Sequence, residues 1–177
     1  MHLNLLFFLF LLINSTKPAV NSTLLKVIDV KAYGAKGDGI SDDYQALLKA
    51  YQAFNQQGGG TLYFPKGHYL IKAYHQKGSK LANLQIQNCK NVEVKGAGAV
   101  IEVFGAFHRL VDYTKGRYSY SYTSSIIPMV FKNCDGLRMS GIELRGRADQ
   151  MTKPKGLTEF GGHLLQFIQC RNVTVTD

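Results

Sequence analysis

Asp38, Asp42 and Asp43 bring three carboxylates together near the start of the chain. Such a cluster could bind calcium, or supply an acid and a base to a glycosidic bond. Its setting points elsewhere. The three lie in a glycine-rich turn and at the start of a stretch that reads as a helix. There, carboxylates accept bonds from unpaired first-turn N–H groups and favour the positive end of the helix dipole. A structural role in the cap of the fold is the expectation for all three. The best ligand candidates are Arg145, Arg147 and His163. A guanidinium grips a carboxylate through two parallel bonds, and Arg145-Gly146-Arg147 follows the strand-like Gly141 to Leu144, so it is expected at a turn. His68 is read as a packing residue. No Cys-x-x-Cys or His-x-x-x-His spacing occurs, so neither a metal site nor a cofactor is expected. Cys89, Cys134 and Cys170 are odd in number and imply no disulfide framework.

The elements around these residues follow from periodicity. Lys26 to Lys31 alternates Val27, Asp29 and Lys31 against Ile28 and Val30, a strand with one buried face. Tyr33 to Gly39 carries three glycines and reads as a turn. From Asp43 to Gln56 the spacing of Leu47, Ala50, Tyr51 and Phe54 predicts a helix with one apolar face, which Gly58-Gly59-Gly60 ends. Thr61 to Phe64 and His68 to Ala73 read as strands joined at Pro65-Lys66-Gly67.

Beyond the helix the chain repeats. Aligned on Cys89, Cys134 and Cys170, each copy has an amide one residue before (Asn88, Asn133, Gln169). Apolar residues stand three after (Val92, Leu137, Val173) and five after (Val94, Met139, Val175). Stacked coils explain this, because in-register strands about 4.8 Å apart place equivalent turns and inward side chains over one another. The amides would form a ladder. Spacings of 45 and 36 residues call for insertions or intervening coils, the insertion falling best at the Tyr- and Ser-rich Phe107 to Ser125.

Tyr33-Gly-Ala-Lys-Gly-Asp-Gly39 with Asp42-Asp43, and Phe64-Pro65 with Gly67 and Tyr69, resembles the N-terminal cap of the polygalacturonase and pectate-lyase-like superfamily. The resemblance implies an all-β fold, a right-handed parallel β-helix with one N-terminal capping α-helix. It also implies a carbohydrate-active protein. The first expectation is a polygalacturonase-like glycoside hydrolase on pectin-type acidic polysaccharide such as galacturonan. The alternatives are a polysaccharide lyase on the same scaffold and a non-catalytic glycan-binding or adhesive β-helix. Of the hydrolases' Asn-x-Asp, Asp-Asp, Gly-His-Gly and Arg-x-Lys motifs, only the first occurs beyond residue 75, as Asn133-Cys134-Asp135 within the cysteine repeat, and the set is not assembled. No catalytic residue is therefore assigned, and residues 24–177 are expected to be the N-terminal part of a longer β-helix, inactive alone.

Leu5 to Ile13 is apolar but too short to span a bilayer, and small or polar residues follow. Residues 1–19 read as a secretory signal peptide, which places the protein outside the cell, or in the periplasm of a bacterium. The sequons at Asn14, Asn21 and Asn172 matter only in a glycosylating host. The net charge of +9 favours polyanions. Among these, export disfavours nucleic acid, and no stable membrane insertion is expected, leaving acidic polysaccharide as the partner.

Overall fold

The computed structural model describes residues 26–72, 83–103, 126–147 and 163–177, and the backbone of strands at 111–115, 118–124 and 159–161. The leader and the sequons at Asn14 and Asn21 lie outside these residues. In chain order the elements are β1 (Val27–Asp29), a 3-10 turn (Val30–Tyr33), β2 (Asp38–Asp42), α1 (Tyr44–Gln57), β3 (Gly60–Phe64), β4 (Gly67–Ile71), β5 (Gln85–Gln87) and β6 (Lys90–Val103). There follow β7 (Val111–Lys115), β8 (Tyr118–Ser124), β9 (Met129–Lys132), β10 (Asp135–Gly146), β11 (Glu159–Gly161), β12 (Leu165–Ile168) and β13 (Arg171–Val175).

Strands from successive passes of the chain stack in parallel to make three faces of a β-helix. The first face joins β1, β3, the start of β6, the start of β10 and β13. The second joins β2, β4 and the far halves of β6 and β10. The third joins β5, β9 and β12. β6 and β10 turn the corner between the first two faces. At that corner the pairing jumps from Ser140↔Lys95 to Ile142↔Ala99, so β6 spends two more residues there than β10. The inward row Ile28, Leu62, Val94 and Met139 is buried throughout, and this continuous apolar stripe is the core.

The cysteine alignment is the register of the structure. Asp135, the residue after Cys134, pairs with Lys90 and with Arg171, and Leu137 pairs with Val92 and Val173. The three copies are thus adjacent coils, and no coil intervenes. The unequal spacing comes from chain added within coils, including the antiparallel β7–β8 hairpin inside the stretch expected to hold an insertion. The amide ladder forms where Asn133 Nδ2 donates to Asn88 Oδ1 at 3.1 Å. Asn88, Asn133 and Gln169 all take φ between 52° and 56°, a left-handed turn that amide side chains tolerate better than most.

α1 closes the end of the stack. Tyr44, Leu47, Ala50, Tyr51 and Phe54 are buried against the first coil. Asn55 completes the edge of β5, donating to Gln85 O at 2.8 Å and accepting from Gln87 N at 2.9 Å. Tyr51 Oη donates to Pro128 O at 3.0 Å, and Gly58 ends the helix with φ 79°. Two boundaries differ from expectation. The first strand stops at Asp29, because its carboxylate accepts from Lys31 N at 2.8 Å and starts the 3-10 turn. The tail of the glycine-rich turn is β2, drawn into strand geometry by β4 at Asp38↔His68 and Asp42↔Leu70.

Candidate functional site

Strand alternation decides what the first face shows to solvent. With Leu62, Val94 and Met139 pointing inward, the residues beside them point outward, and Thr61, Glu93, Arg138 and Thr174 stand in one row across four coils. Next to this row, Asn91, Gly136 and Asn172 take φ of 51°, 72° and 54° and bend the chain away from the sheet. The two rows line a groove of about 560 Å³. Thr61 Oγ1 donates to Glu93 Oε2 at 2.7 Å and holds that carboxylate in place. Asn172 Nδ2 donates to Asp135 Oδ1 at 2.8 Å at the groove margin. Arg138 is exposed, and no carboxylate among the described residues pairs with it. Lys95, exposed and paired with Tyr63 and Ser140, adds a second positive charge one row away. The groove thus offers hydroxyls and amides for sugar hydroxyls, and a guanidinium for an acid.

Arg145, Arg147 and His163 lie away from this groove. Arg145 is within β10, not at a turn, and is held by Glu143 through Nε–Oε1 at 2.5 Å and Nη2–Oε2 at 3.0 Å. Arg147 Nη1 lies 3.4 Å from Oε1 of Glu102, whose Oε2 is 3.1 Å from His68 Nε2. His68 is therefore not a simple packing residue. It shares a carboxylate whose side chain is 5% exposed, and a buried charge needs such partners. His163 is exposed and precedes Leu164, and Leu164 packs so near Gly146 that a Cβ there would stand 3.6 Å from it. The second-face arginines are thus already neutralised within the fold, while Arg138 has no carboxylate partner among the described residues. The cysteine repeat held a signal for the groove residues. The positions between its paired apolar residues are Glu93, Arg138 and Thr174.

The three aspartates have separate structural tasks. Asp38 accepts from Ile40 N, Ser41 N and Ser41 Oγ at 2.8–2.9 Å. The bond from Ser41 N leads in holding its carboxyl down at about 2. Asp42 Oδ1 accepts from Tyr44 N and Lys72 N, both at 3.1 Å, and so ties the helix start to the end of β4. Asp43 stands at the N-cap but makes no side-chain bond to the helix. Its carboxylate turns back into the glycine-rich turn, where Lys36 N lies 2.6 Å from Oδ1 and Gly37 N 3.2 Å from Oδ2. Burial pushes its carboxyl upward, and these N–H bonds oppose that. Asp42 thus bonds the first N–H of the helix, whereas Asp43 bonds the glycine-rich turn.

This division gives a measurable contrast. Asp42→Asn keeps the single oxygen that takes both bonds and should leave stability within about 0.5 kcal/mol. Asp43→Asn puts an NH₂ against one of two buried N–H donors and should cost about 1–3 kcal/mol. Urea unfolding of both variants checks this, and equal losses would contradict the assignment. Among the described residues no group of three His, Cys, Asp or Glu side chains is arranged to hold a metal ion.

Residues 27–103 match the family described as Rhamnogalacturonase A/epimerase, pectate lyase-like. The plasmin and fibronectin-binding protein A of Streptococcus pneumoniae is 30% identical over 168 residues, covering 84% of this chain and 23% of that protein. The mannuronan C5-epimerase AlgE6 of Azotobacter vinelandii is 40% identical over 70 residues, covering 40% of this chain and 8% of that protein. The solved A-module of the A. vinelandii mannuronan C-5 epimerase AlgE4 aligns with a TM-score of 0.48 at 21% identity, over 85% of this chain and 41% of the module. The chain thus spans less than a quarter of the length of these two curated relatives. The family match across the cap and first coils, with parallel strands stacked in register on three faces, fits the pectate-lyase-like parallel β-helix superfamily.

Proposed function

We propose that this chain is the N-terminal, substrate-binding part of a carbohydrate-active β-helix protein, and that an acidic polysaccharide lies along the groove of the first face. The observation that carries this reading is the row Thr61, Glu93, Arg138 and Thr174, with a guanidinium that has no carboxylate partner among the described residues, set among hydroxyl and amide groups. The row runs along the stack, offering a polar group about every 4.8 Å, a spacing suited to a linear polymer laid along the axis. Arg138 would take a sugar carboxylate as a charge-assisted pair. The charge of +9 draws such a polymer in. The relatives named as mannuronan C5-epimerases support a uronate polymer as the ligand, and action outside the cell follows from that.

Abstraction of the proton beside a uronate carboxylate is the chemistry common to epimerisation and elimination, and neutralising that carboxylate with a cation makes the proton more acidic. Arg138 can supply that neutralisation but not the base, since a guanidinium stays protonated. Hydrolysis of galacturonan is a second reading, favoured by the rhamnogalacturonase in the matching family's description. It requires two carboxyls flanking the bond.

Arg138→Ala should weaken binding of polymannuronate or polygalacturonate roughly tenfold to a hundredfold, the value of about 1.5–3 kcal/mol for a charged hydrogen bond. Arg145→Ala should leave binding unchanged, because Arg145 is turned to Glu143 on another face. Calorimetric titration at low and high salt reads both. Loss of binding in the Arg145 variant alone would move the site to the second face. Unmeasurable binding by the unaltered chain at low salt would remove the proposal.

A further inference from the structure

A carboxylate set between two cations ordinarily pairs with one of them. Glu93 does not. In the outer row of the first face it stands in register between Thr61 of β3 and Arg138 of β10. Lys95 follows two residues on, on the same outer side of β6. Among the described residues neither Arg138 nor Lys95 forms an ion pair with it. Its Oε2 instead accepts a hydrogen bond from the neutral Thr61 hydroxyl at 2.7 Å. Glu93 and Arg138 are both exposed, and Thr61 is half-buried. The carboxylate is thus drawn toward the coil before its own, away from the guanidinium of the coil after. All three side chains line the same groove.

We infer that Thr61 is a positioning residue for the acid-recognising arginine of this groove: its hydroxyl ties Glu93 back and keeps the Arg138 guanidinium open to a carboxylate of the polymer. The inference rests on the reading of the groove as a uronate site. Stacked positions on adjacent parallel strands are about 4.8 Å apart, so the Glu93 and Arg138 side chains can meet by rotation about their own bonds. A guanidinium offers a carboxylate two parallel donors, whereas the Thr61 hydroxyl has one and spends it on Oε2. Loss of that hydroxyl frees Glu93 to occupy the donors that the polymer's carboxylate needs. Apparent affinity then falls with the fraction of molecules whose guanidinium is left open. An exposed ion pair is weak, so the fall is about two- to sixfold rather than complete.

The test uses Thr61→Val, Thr61→Ser, Glu93→Gln and the double variant Thr61→Val/Glu93→Gln. Valine keeps the branched shape and strand preference of threonine, so the fold is retained. Calorimetric titration with polymannuronate at low salt should show Thr61→Val weakened about two- to sixfold and Thr61→Ser equal to the unaltered chain. Glu93→Gln should bind at least as tightly as the unaltered chain. The double variant should match Glu93→Gln, because no carboxylate remains to take the guanidinium. Undiminished binding by Thr61→Val would overturn the inference. So would an equal loss in the Glu93→Gln background, which marks a direct contact between Thr61 and the sugar. Exchange of the Arg138 Nε–H with water, followed by NMR in the free chain, needs no polymer. It should slow in Thr61→Val and return to its original rate in the double variant, and an unchanged rate in Thr61→Val overturns the inference. Polymannuronate that fails to bind the unaltered chain strikes the reading of the groove, and the exchange rates then decide the positioning role by themselves.

Discussion

Phe54→Ala should lower the free energy of unfolding by about 3–5 kcal/mol. Phe54 is 0% exposed in the last full turn of α1, beside the fully buried Leu47 and Tyr51. A helix of this length is marginal alone and is held mainly by its packed face. Truncation removes transfer energy and leaves a cavity that a closely stacked coil cannot fill. That loss would be a large share of a stability of about 5–15 kcal/mol. Ile40→Ala is the control, since Ile40 is 74% exposed and its loss should change stability by less than about 0.5 kcal/mol. Urea unfolding monitored by far-UV circular dichroism measures both. A Phe54→Ala loss below about 1 kcal/mol would mean that the helix unfolds separately from the β-helix, and that it is not the plug of the stack.

The second large effect is expected at the corner between the first and second faces. Gly141 has φ 65°, and a Cβ there would stand 2.5 Å from the carbonyl oxygen of Gly96. A Cβ on Gly96 would in turn collide with the carbonyl of Gly141. The two backbones meet where β6 carries its two extra residues, so neither can withdraw without breaking the register on both sides. Gly141→Ala should therefore cost about 3–5 kcal/mol, combining the strain of a left-handed non-glycine residue with an overpacked contact. Gly98→Ala separates the two contributions. Gly98 also has positive φ, at 74°, but nothing lies within 4 Å of its would-be Cβ. It should lose only about 1–2 kcal/mol, the conformational part. Equal losses at the two positions, measured by thermal and urea unfolding, would show that the close approach of the coils does not govern this corner.

Much of the architecture was legible in the residue order because it is set locally. The spacing of Leu47, Ala50, Tyr51 and Phe54 dictates a helix with one buried face, and the structure buries those four. The amide-Cys-x-x-apolar-x-apolar repeat carries the register itself, since identical rungs stack when apolar positions must all face one core. What the order of residues does not carry is which coil lies beside which when the lengths between them differ. Spacings of 45 and 36 are compatible with neighbours or with coils between, and only the backbone pairing of Asp135 with both Lys90 and Arg171 decides.

The side-chain assignments divide in the same way. Asp42 does what a residue beside a helix start does by local geometry. Asp43 was beyond local reasoning, because its partners, Lys36 and Gly37, become available only when the turn folds back over the helix end. Arg145 and Arg147 look like free cations in the sequence, and the fold gives them Glu143 and Glu102. Glu93 and Arg138 are unremarkable in isolation and far apart in the chain. They become one polar row because the coil repeat lays β10 on β6 in register, and a parallel strand turns alternate side chains to the same outer face.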